Sequence, residues 1–314
     1  MSAPAVRRPE PKRPEPAAEL SATERRAEKA RGRIGVGLIV PGFVYLLLFF
    51  AAPVFVLLAM SLYAKPPGAE TGVFVPAFEI SNYAVALSQY WEPLVRSFLF
   101  AGIATVLALL IGYTMAYLVA VRLRQHKLLA SILLVILIAP FFSSFVLRTQ
   151  AWKQILADEG FVVEALRFVA ILPEDGRLTA TSIAVVAGLT YNFLPFMTLP
   201  IYASLERLDT RLLEAAGDLY ASPMTAFRRV TLPLSMPGVF AGTLLTFIPA
   251  SGDYINAAIL GNNRDTSMIG QVIDSRFFQI VDYPMAAALS TVLMVVILIL
   301  VMLYIRKFGT KELF

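Results

Sequence analysis

The sequence predicts an all-α, polytopic membrane protein with six transmembrane helices. Of its 314 residues, 58% are hydrophobic and only 16% are charged, which is more apolar surface than a soluble core of this size needs. Six stretches also approach or exceed the roughly 20 mostly apolar residues that cross a hydrocarbon core. They cover about 36–62, 96–121, 128–150, 179–204, 237–260 and 283–305, and we expect the six-span unit to occupy 34–314.

The residue inventory argues against chemistry carried out by the chain itself. It contains no cysteine and a single histidine, His126, which excludes disulfides, cysteine-ligated zinc and clusters of histidine ligands. The phosphate-binding pattern Gly-x-x-x-x-Gly-Lys-Ser/Thr does not occur either, so the chain has no P-loop for ATP. We therefore expect no catalytic residues, no bound metal and no cofactor.

Residues 1–33 differ in composition from the rest of the chain. Prolines alternate there with arginine, lysine and glutamate, which leaves little apolar surface to bury and predicts a disordered, basic tail. Two interpretations of 21–33 stay open, since this piece can form a short basic helix against anionic membrane lipid or remain a solvated tail.

The distribution of basic residues predicts the topology. Nineteen of the 27 lysine and arginine residues fall on the side that holds both termini and the loop between the fourth and fifth spans, and eight fall on the other side. Because basic residues are retained in the cytoplasm, both termini and that loop are expected to be cytoplasmic. The net charge of +5 is thereby explained as a topology signal, and we predict no nucleic-acid partner.

The coupling loop (206–235) contains start signals for two helices. Asp209 is expected to cap a first helix that runs to about Tyr220, and Ser222 followed by Pro223 is expected to begin a second one. That second helix is predicted to be short and to end before Leu232. Small residues on the first helix would let another protein approach closely, so a docking surface is favoured over a surface loop without a partner.

The spacing of residues in this loop resembles a known family. Glu214-Ala215-Ala216 is followed after three residues by position 220, and after nine more by Val230-x-Leu-Pro. This pattern is similar to the Glu-Ala-Ala motif of bacterial ABC importer permeases of type I, in which position 220 is Gly and position 230 is Ile. A tyrosine in the left-handed conformation costs about 1 kcal/mol, unless the loop uses another turn. The resemblance implies that these residues couple the chain to an ATPase: Glu214, Ala215, Ala216, Leu219, Tyr220, Leu232 and Pro233.

Further segments, 140–152, 194–200 and 205–209, resemble the spermidine/putrescine-type permeases. The resemblance implies import of polyamines across the bacterial inner membrane by a permease subunit with a second, homologous permease. It also implies two ABC ATPase subunits that hydrolyse ATP and an extracytoplasmic solute-binding protein. Import of another small solute, such as an amino acid derivative, a metal or an anion, stays open as the alternative.

A polycation in the membrane needs carboxylates and aromatic faces along its path. Apart from Arg96 and Arg148 near the ends of their spans, Asp253 is the only charged residue within the six predicted spans, and Pro249 and Gly252 beside it are expected to break the fifth span and open a pathway. Capping of that break by the Asp253 carboxylate is an alternative that can coexist with substrate contact. The residues predicted for the substrate pathway are Asp253, Tyr254, Trp152, Tyr191 and Phe196.

Neighbouring polar residues have other expected roles. Asn192 is expected to form an interhelical hydrogen bond. Arg148 and Trp152 fit either an interfacial anchor or a surface for a binding protein.

Two other classes of function would require different features in the sequence. An ion-coupled secondary transporter should show repeated halves and several intramembrane ionisable groups, and a membrane scaffold would not need a broken fifth span.

Overall fold

The computed structural model describes residue 37 and residues 39–261 and 263–309. The predicted tail at 1–33 lies outside this range. Contacts divide the chain into two units, 1–56 and 57–314. Helix α1, Ile39–Met60, crosses this boundary, contains a π-helical turn at Leu47–Ala51 and exposes most of its apolar side chains.

The second unit begins with a small hairpin. Strands β1 (Tyr63–Ala64) and β2 (Val75–Pro76) are antiparallel, with Tyr63 opposite Pro76. The helices that follow are α2 (Ser81–Gln89), α3 (Trp91–Arg122), α4 (Lys127–Phe142), α5 (Phe145–Ile155), α6 (Phe161–Phe168), α7 (Ser182–Glu206), α8 (Thr210–Asp218), α9 (Pro223–Ser251), α10 (Ile269–Asp274) and α11 (Tyr283–Lys307). Within the described ranges, five helices are long and apolar enough to cross a membrane, or six when α4 and α5 count as one broken span.

The third predicted span, 128–150, is not one straight helix. It divides into α4 and α5, whose axes differ by 103°. A tight 3₁₀ turn covers Ala139–Phe142 with Pro140 as its second residue, and Ser143 and Ser144 then leave the helical region with ψ angles of 157° and 135°. The Ser143 hydroxyl donates to the Pro140 carbonyl at 2.6 Å, which satisfies one acceptor that the break releases. The apolar composition that predicted one span carried no information on this break.

Helix α7 lies at the centre of the second unit and packs against α3 and α9. One buried cluster combines Ala101 of α3 and Leu189 of α7 with Leu260, which follows α9. A second buried cluster joins Ala108 of α3 to Ile201 of α7. The three helices α3, α7 and α9 therefore contribute to two separate buried clusters along their length.

Small residues allow α9 to approach α7 closely. A Cβ added at Gly238 would lie 2.5 Å from the Pro200 carbonyl oxygen, and one added at Gly242 would lie 2.8 Å from that of Met197. These two glycines are four residues apart and so face the same side of α9. Close backbone contact through small residues is a common way for membrane helices to associate, because lipid provides no hydrophobic drive between them.

The fifth span differs from its predicted range of 237–260. Helix α9 begins at Pro223 and ends at Ser251, with Gly252 at its C-terminus, and a π-helical turn follows at Ala257–Gly261. Asp253 consequently lies just beyond the helix and not inside it. The break expected from Pro249 and Gly252 is present, and it ends the helix at Ser251, well before the predicted end of the span at about 260.

Candidate functional site

The coupling loop (206–235) is built by local capping. The Asp209 carboxylate accepts a hydrogen bond from the Arg211 amide at 3.0 Å and so begins α8, as predicted. The Ser222 hydroxyl accepts from the Thr225 amide at 3.3 Å, with Pro223 at the first helical position of α9. Both helix starts are therefore encoded by residues next to them in the chain.

Tyr220 has the left-handed backbone conformation that its position in the loop demands. Its φ is 55°, and α8 has ended at Asp218 rather than at Tyr220 itself. The Ala221 amide donates to the Ala216 carbonyl at 3.0 Å, and the Tyr220 amide donates to the Gly217 carbonyl at 2.9 Å. This pair of bonds is a Schellman motif, in which glycine is the usual left-handed residue. The chain thus forms the usual Schellman turn, although its left-handed residue is a tyrosine and not a glycine.

The end of α8 presents apolar side chains to solvent. Leu219 is 82% exposed and Tyr220 is 99% exposed, while Glu214 and Ala215 on the same helix are also exposed. Ala216 is half-buried. Two large apolar side chains beside a carboxylate form a small surface with the mixture of anchors and charge found in protein interfaces.

The loop is attached to the core by aromatic and polar contacts. The Phe227 ring packs edge-on against Tyr113 and Tyr117 of α3, with ring centroids 5.7 Å apart in each case. The hydroxyls of Tyr113 and Ser235 are 2.9 Å apart. Arg124 also donates to the Leu208 carbonyl at 3.1 Å. A displacement of the loop would therefore be transmitted to both α3 and α9.

The predicted end of the second short helix before Leu232 is wrong. Helix α9 continues through Leu232 and Pro233, which lie within its N-terminal part, Leu232 half-buried and Pro233 exposed. The ring of a helical proline clashes with the carbonyl four residues earlier, here that of Arg229. A π-helical turn at Phe227–Thr231 surrounds that carbonyl, and its wider geometry lets the helix continue. Leu232 and Pro233 are thus part of one long helix and do not mark the end of a short one.

Three of the five predicted pathway residues lie on the neighbouring helices α5 and α7, and the other two follow α9. Trp152 and Tyr191 pack together with ring centroids 5.3 Å apart. Phe196 follows Tyr191 on α7, and its ring centroid is 6.1 Å from that of Phe193 and 4.9 Å from that of Phe141. Tyr254, after α9, is 45% exposed. Aromatic side chains from α4, α5 and α7 are therefore concentrated where the third span bends.

Asp253 caps the break after α9. It is only 8% exposed, and its Oδ1 accepts from the Asn256 amide at 2.7 Å. This is the capping role that the sequence left open beside substrate contact. The carboxylate is one hydrogen bond away from Asn256, whose side chain in turn reaches α7.

A buried amide pair connects the three segments. Asn192 Nδ2 donates to Asn256 Oδ1 and to Thr149 Oγ1, each at 3.0 Å, and all three residues are buried. The interhelical role expected for Asn192 is thus observed. Asn256 and Thr149 were not singled out from the sequence. An asparagine soon after a Pro/Gly break in an apolar segment is the signal that could have drawn attention to Asn256.

Arg148 lies within the aromatic group. Its guanidinium carbon is 5.2 Å from the Phe141 ring centroid and 5.5 Å from that of Phe145. Cation–π contact with two rings stabilises a partly desolvated charge. The rings on either side of the bend between α4 and α5 are therefore held together by one cation.

Five or six helices of the described chain are long and apolar enough to cross a membrane, and the coupling loop (206–235) lies between two of them, which is the arrangement of a polytopic helical membrane protein. Residues 116–309, more than half of the chain, match the family model described as "Binding-protein-dependent transport system inner membrane component". The chain belongs to this family. It is a multi-pass inner-membrane permease subunit of an ABC importer, and membership implies ATPase and periplasmic binding-protein partners.

Several relatives are similar over most of their length. The spermidine/putrescine transport system permease protein PotB of Salmonella typhimurium (strain SL1344) is 38% identical over 230 residues, which cover 73% of this chain and 79% of the relative. PotB of Haemophilus influenzae is 36% identical, covering 84% and 90%. The inner membrane ABC transporter permease protein YdcU of Escherichia coli (strain K12) is 30% identical, covering 75% and 74%. These values confirm the resemblance that the sequence motifs indicated.

The solved structures agree on the fold. A chain of a bacterial ABC transporter involved in the import of the acidic polysaccharide alginate superposes with a TM-score of 0.67 at 18% identity, covering 91% of this chain and 98% of that one. At this identity the likeness concerns the fold alone. The predicted class, an all-α polytopic membrane protein like the ABC importer permeases, is therefore confirmed. The prediction of a permease subunit rather than an enzyme is confirmed by family membership.

Proposed function

We propose that this chain forms half of a polyamine pathway and that its coupling loop (206–235) receives one of two ATPase subunits in the cytoplasm. The second half of the pathway is a homologous permease, and an extracytoplasmic binding protein delivers the substrate. The observation that carries the coupling role is the exposed Leu219–Tyr220 pair at the end of α8 beside Glu214. Both termini are cytoplasmic in this arrangement, in line with the distribution of lysine and arginine.

Coupling follows from how the loop is attached. ATP-driven closure of the ATPases moves α8, and Phe227 passes the movement to α3 through Tyr113 and Tyr117. Because α9 is continuous from Pro223 to Ser251, the same movement reaches Asp253 at its far end. A rigid helix of this kind can shift the pathway between inward- and outward-facing states.

Reversal of one charge on the docking surface tests the coupling role. Glu214→Arg is expected to reduce co-purification of the ATPase by about tenfold, since reversing a contact charge costs more than about 1.4 kcal/mol. The matched control is Glu70→Arg, an exposed charge reversal in the loop between the two strands, which should leave the complex intact. Normal complex and normal uptake with Glu214→Arg would contradict the docking surface.

The proposed substrate rests on chemistry as well as on similarity. Trp152 and Tyr191 pack against each other with tilted rings, and Tyr254, next in the chain to the buried carboxylate of Asp253, exposes a further ring. Aromatic faces and a carboxylate are the groups that stabilise alkylammonium ions away from water. The relatives PotB are spermidine/putrescine transport permeases at up to 38% identity, which supports the same substrate class here.

Two substitutions separate the cap from the pathway at Asp253. Asp253→Asn keeps an oxygen that can accept from the Asn256 amide but removes the charge, whereas Asp253→Ala removes both. We expect spermidine uptake to fall by about tenfold in both variants, with the ATPase still bound, since each tenfold corresponds to about 1.4 kcal/mol. Wild-type uptake in Asp253→Asn together with failure of Asp253→Ala would leave Asp253 as a cap only. Binding of spermidine, amino acids and anions by the purified binding protein tests the substrate itself.

A further inference from the structure

A cavity of about 480 Å³ lies between the coupling loop (206–235) and the adjacent end of α3. This volume is within the range of about 300–1,000 Å³ that is typical of small-molecule sites. Its walls come from the last turns of α3 and the residues after it, from α8, and from the first turns of α9. Neither the docking of an ATPase on α8 nor the substrate pathway at the far end of α9 accounts for it.

The cavity is basic. Arg122 and Arg124 line it together with Gln125, and none of its ten lining residues is acidic. Arg124 donates one guanidinium N–H to the Leu208 carbonyl. Arg122 forms no hydrogen bond or ion pair within the described part of the chain. Two guanidinium groups without a carboxylate partner favour an anionic ligand, and their planar donors suit phosphate oxygens.

A buried hydroxyl provides a second, independent indication. Thr231 lines the same cavity and is 1% exposed, and its Oγ1 has no hydrogen-bond partner among the described residues. A buried polar atom left unpaired costs free energy, so native structures normally give such an atom a protein, water or ligand partner. Thr231 Oγ1 is buried from solvent in this structure, so a ligand that occupies the cavity satisfies it after the Thr231 side chain rotates about χ1.

The rest of the lining is apolar. Tyr117 and Val121 belong to α3, Leu213 to α8, and Phe227 to the beginning of α9. The cavity thus has basic side chains on one part of its lining and apolar side chains on the rest, and it lies where α3 ends and α9 begins. A molecule with a phosphate headgroup and a hydrocarbon body matches that combination better than free phosphate does, and clusters of arginine at the cytoplasmic membrane surface attract anionic lipid.

We propose that this cavity binds the phosphate headgroup of an anionic phospholipid and that the lipid braces the coupling loop (206–235) against α3. Arg122 and Arg124 contact the phosphate, and Thr231 donates to one of its oxygens after rotation about χ1. The proposal rests on the cytoplasmic placement of the loop under the proposed function, because that side carries the anionic leaflet. Bound lipid fills the space between α8 and α3, so a displacement of α8 moves α3 as well and does not merely close the cavity.

The test measures lipid binding to the purified full chain in a neutral detergent by native mass spectrometry. The probes are phosphatidylglycerol, phosphatidylcholine and inorganic phosphate. We expect one phosphatidylglycerol to bind at least about tenfold more tightly than phosphatidylcholine. Each basic residue beside an anionic headgroup is worth about fivefold, so Arg122→Gln with Arg124→Gln should weaken binding by about 25-fold.

The matched control removes the same charge from the same loop outside the cavity. Arg228 and Arg229 are exposed and do not line it, and the pair Arg228→Gln with Arg229→Gln should change the affinity by less than about threefold. Equal losses in the two pairs would overturn the site in favour of general charge attraction. Displacement of the lipid by an equimolar amount of inorganic phosphate would overturn the lipid as the ligand, as would no preference for phosphatidylglycerol.

Two further variants keep the proposal falsifiable if the double substitution disturbs folding. Arg122→Gln breaks no contact seen in the described chain and should weaken binding by about fivefold. Thr231→Val keeps the side-chain shape, so it should leave thermal stability without lipid unchanged or higher while weakening phosphatidylglycerol binding by about fivefold. Unaltered binding in both would refute the proposal. Glu214→Arg should bind lipid normally, so a failure of ATPase docking is distinguishable from a failure of this site.

Discussion

Replacement of Tyr220 by glycine should stabilise the end of α8. The residue has φ of 55° at the left-handed position of a Schellman motif, where a side chain with a Cβ costs about 1 kcal/mol and glycine does not. The ring is 99% exposed, so its removal sacrifices no packing within the chain. The change in backbone preference therefore dominates, and the free energy of opening the turn should rise by about 1 kcal/mol.

Hydrogen exchange of the intact chain measures this opening. The protection factor of the Ala221 amide, which donates to the Ala216 carbonyl, should rise about fivefold in Tyr220→Gly, as 1 kcal/mol requires. Tyr220→Ala also removes the ring but keeps a Cβ, so its protection should stay within about twofold of the wild type. Equal protection in the two variants, or none gained with glycine, would refute the strain at this position. ATPase docking should weaken in both, because both lose the exposed ring.

Three further perturbations test the packing that carries the coupling. Gly238→Ala would place a Cβ 2.5 Å from the Pro200 carbonyl and should destabilise the chain by about 1–3 kcal/mol in detergent thermal unfolding, whereas Gly102→Ala, with open space at its Cβ, should be tolerated. Phe227→Ala removes two aromatic contacts worth about 0.5–1.5 kcal/mol each, so the ATPase should still bind while its hydrolysis becomes uncoupled from uptake; full uptake would contradict this route. Asn192→Leu leaves the Asn256 carbonyl oxygen buried without its donor and should cost about 1–3 kcal/mol, measured in the same unfolding assay, unlike a substitution at an exposed amide such as Gln89→Leu.

The local features of the coupling loop (206–235) could be predicted because their causes are local. A carboxylate at Asp209 and a hydroxyl at Ser222 cap helices through amides two or three residues away. The left-handed conformation of Tyr220 is one of the two alternatives that the sequence left open, and it too depends on hydrogen bonds between residues close in the chain. In each case the interacting groups are close in the chain, so residue order alone specifies them.

The errors occurred where distant or cooperative contacts decide. The third span reads as one apolar run, yet it bends by 103° at Ser143 and Ser144, where aromatic side chains of α4, α5 and α7 pack together. Helix α9 passes through Pro233 because a π-helical turn makes room for the proline ring. Hydropathy and proline rules describe average behaviour, and neither includes such accommodation.

By itself the sequence determined a helical membrane chain. It also showed a loop that resembles the Glu-Ala-Ala motif of importer permeases, and it predicted no catalytic residues. Apolar length, charge asymmetry and capping residues carry that information because each acts over a short stretch of chain. Only the tertiary structure decided that Asn256, beside the helix end that Asp253 caps, is linked to Asn192, and that Arg122 and Arg124 share one cavity with Thr231. Those associations join residues about 60 to 110 positions apart, and only the packing of α3, α7 and α9 brings them together.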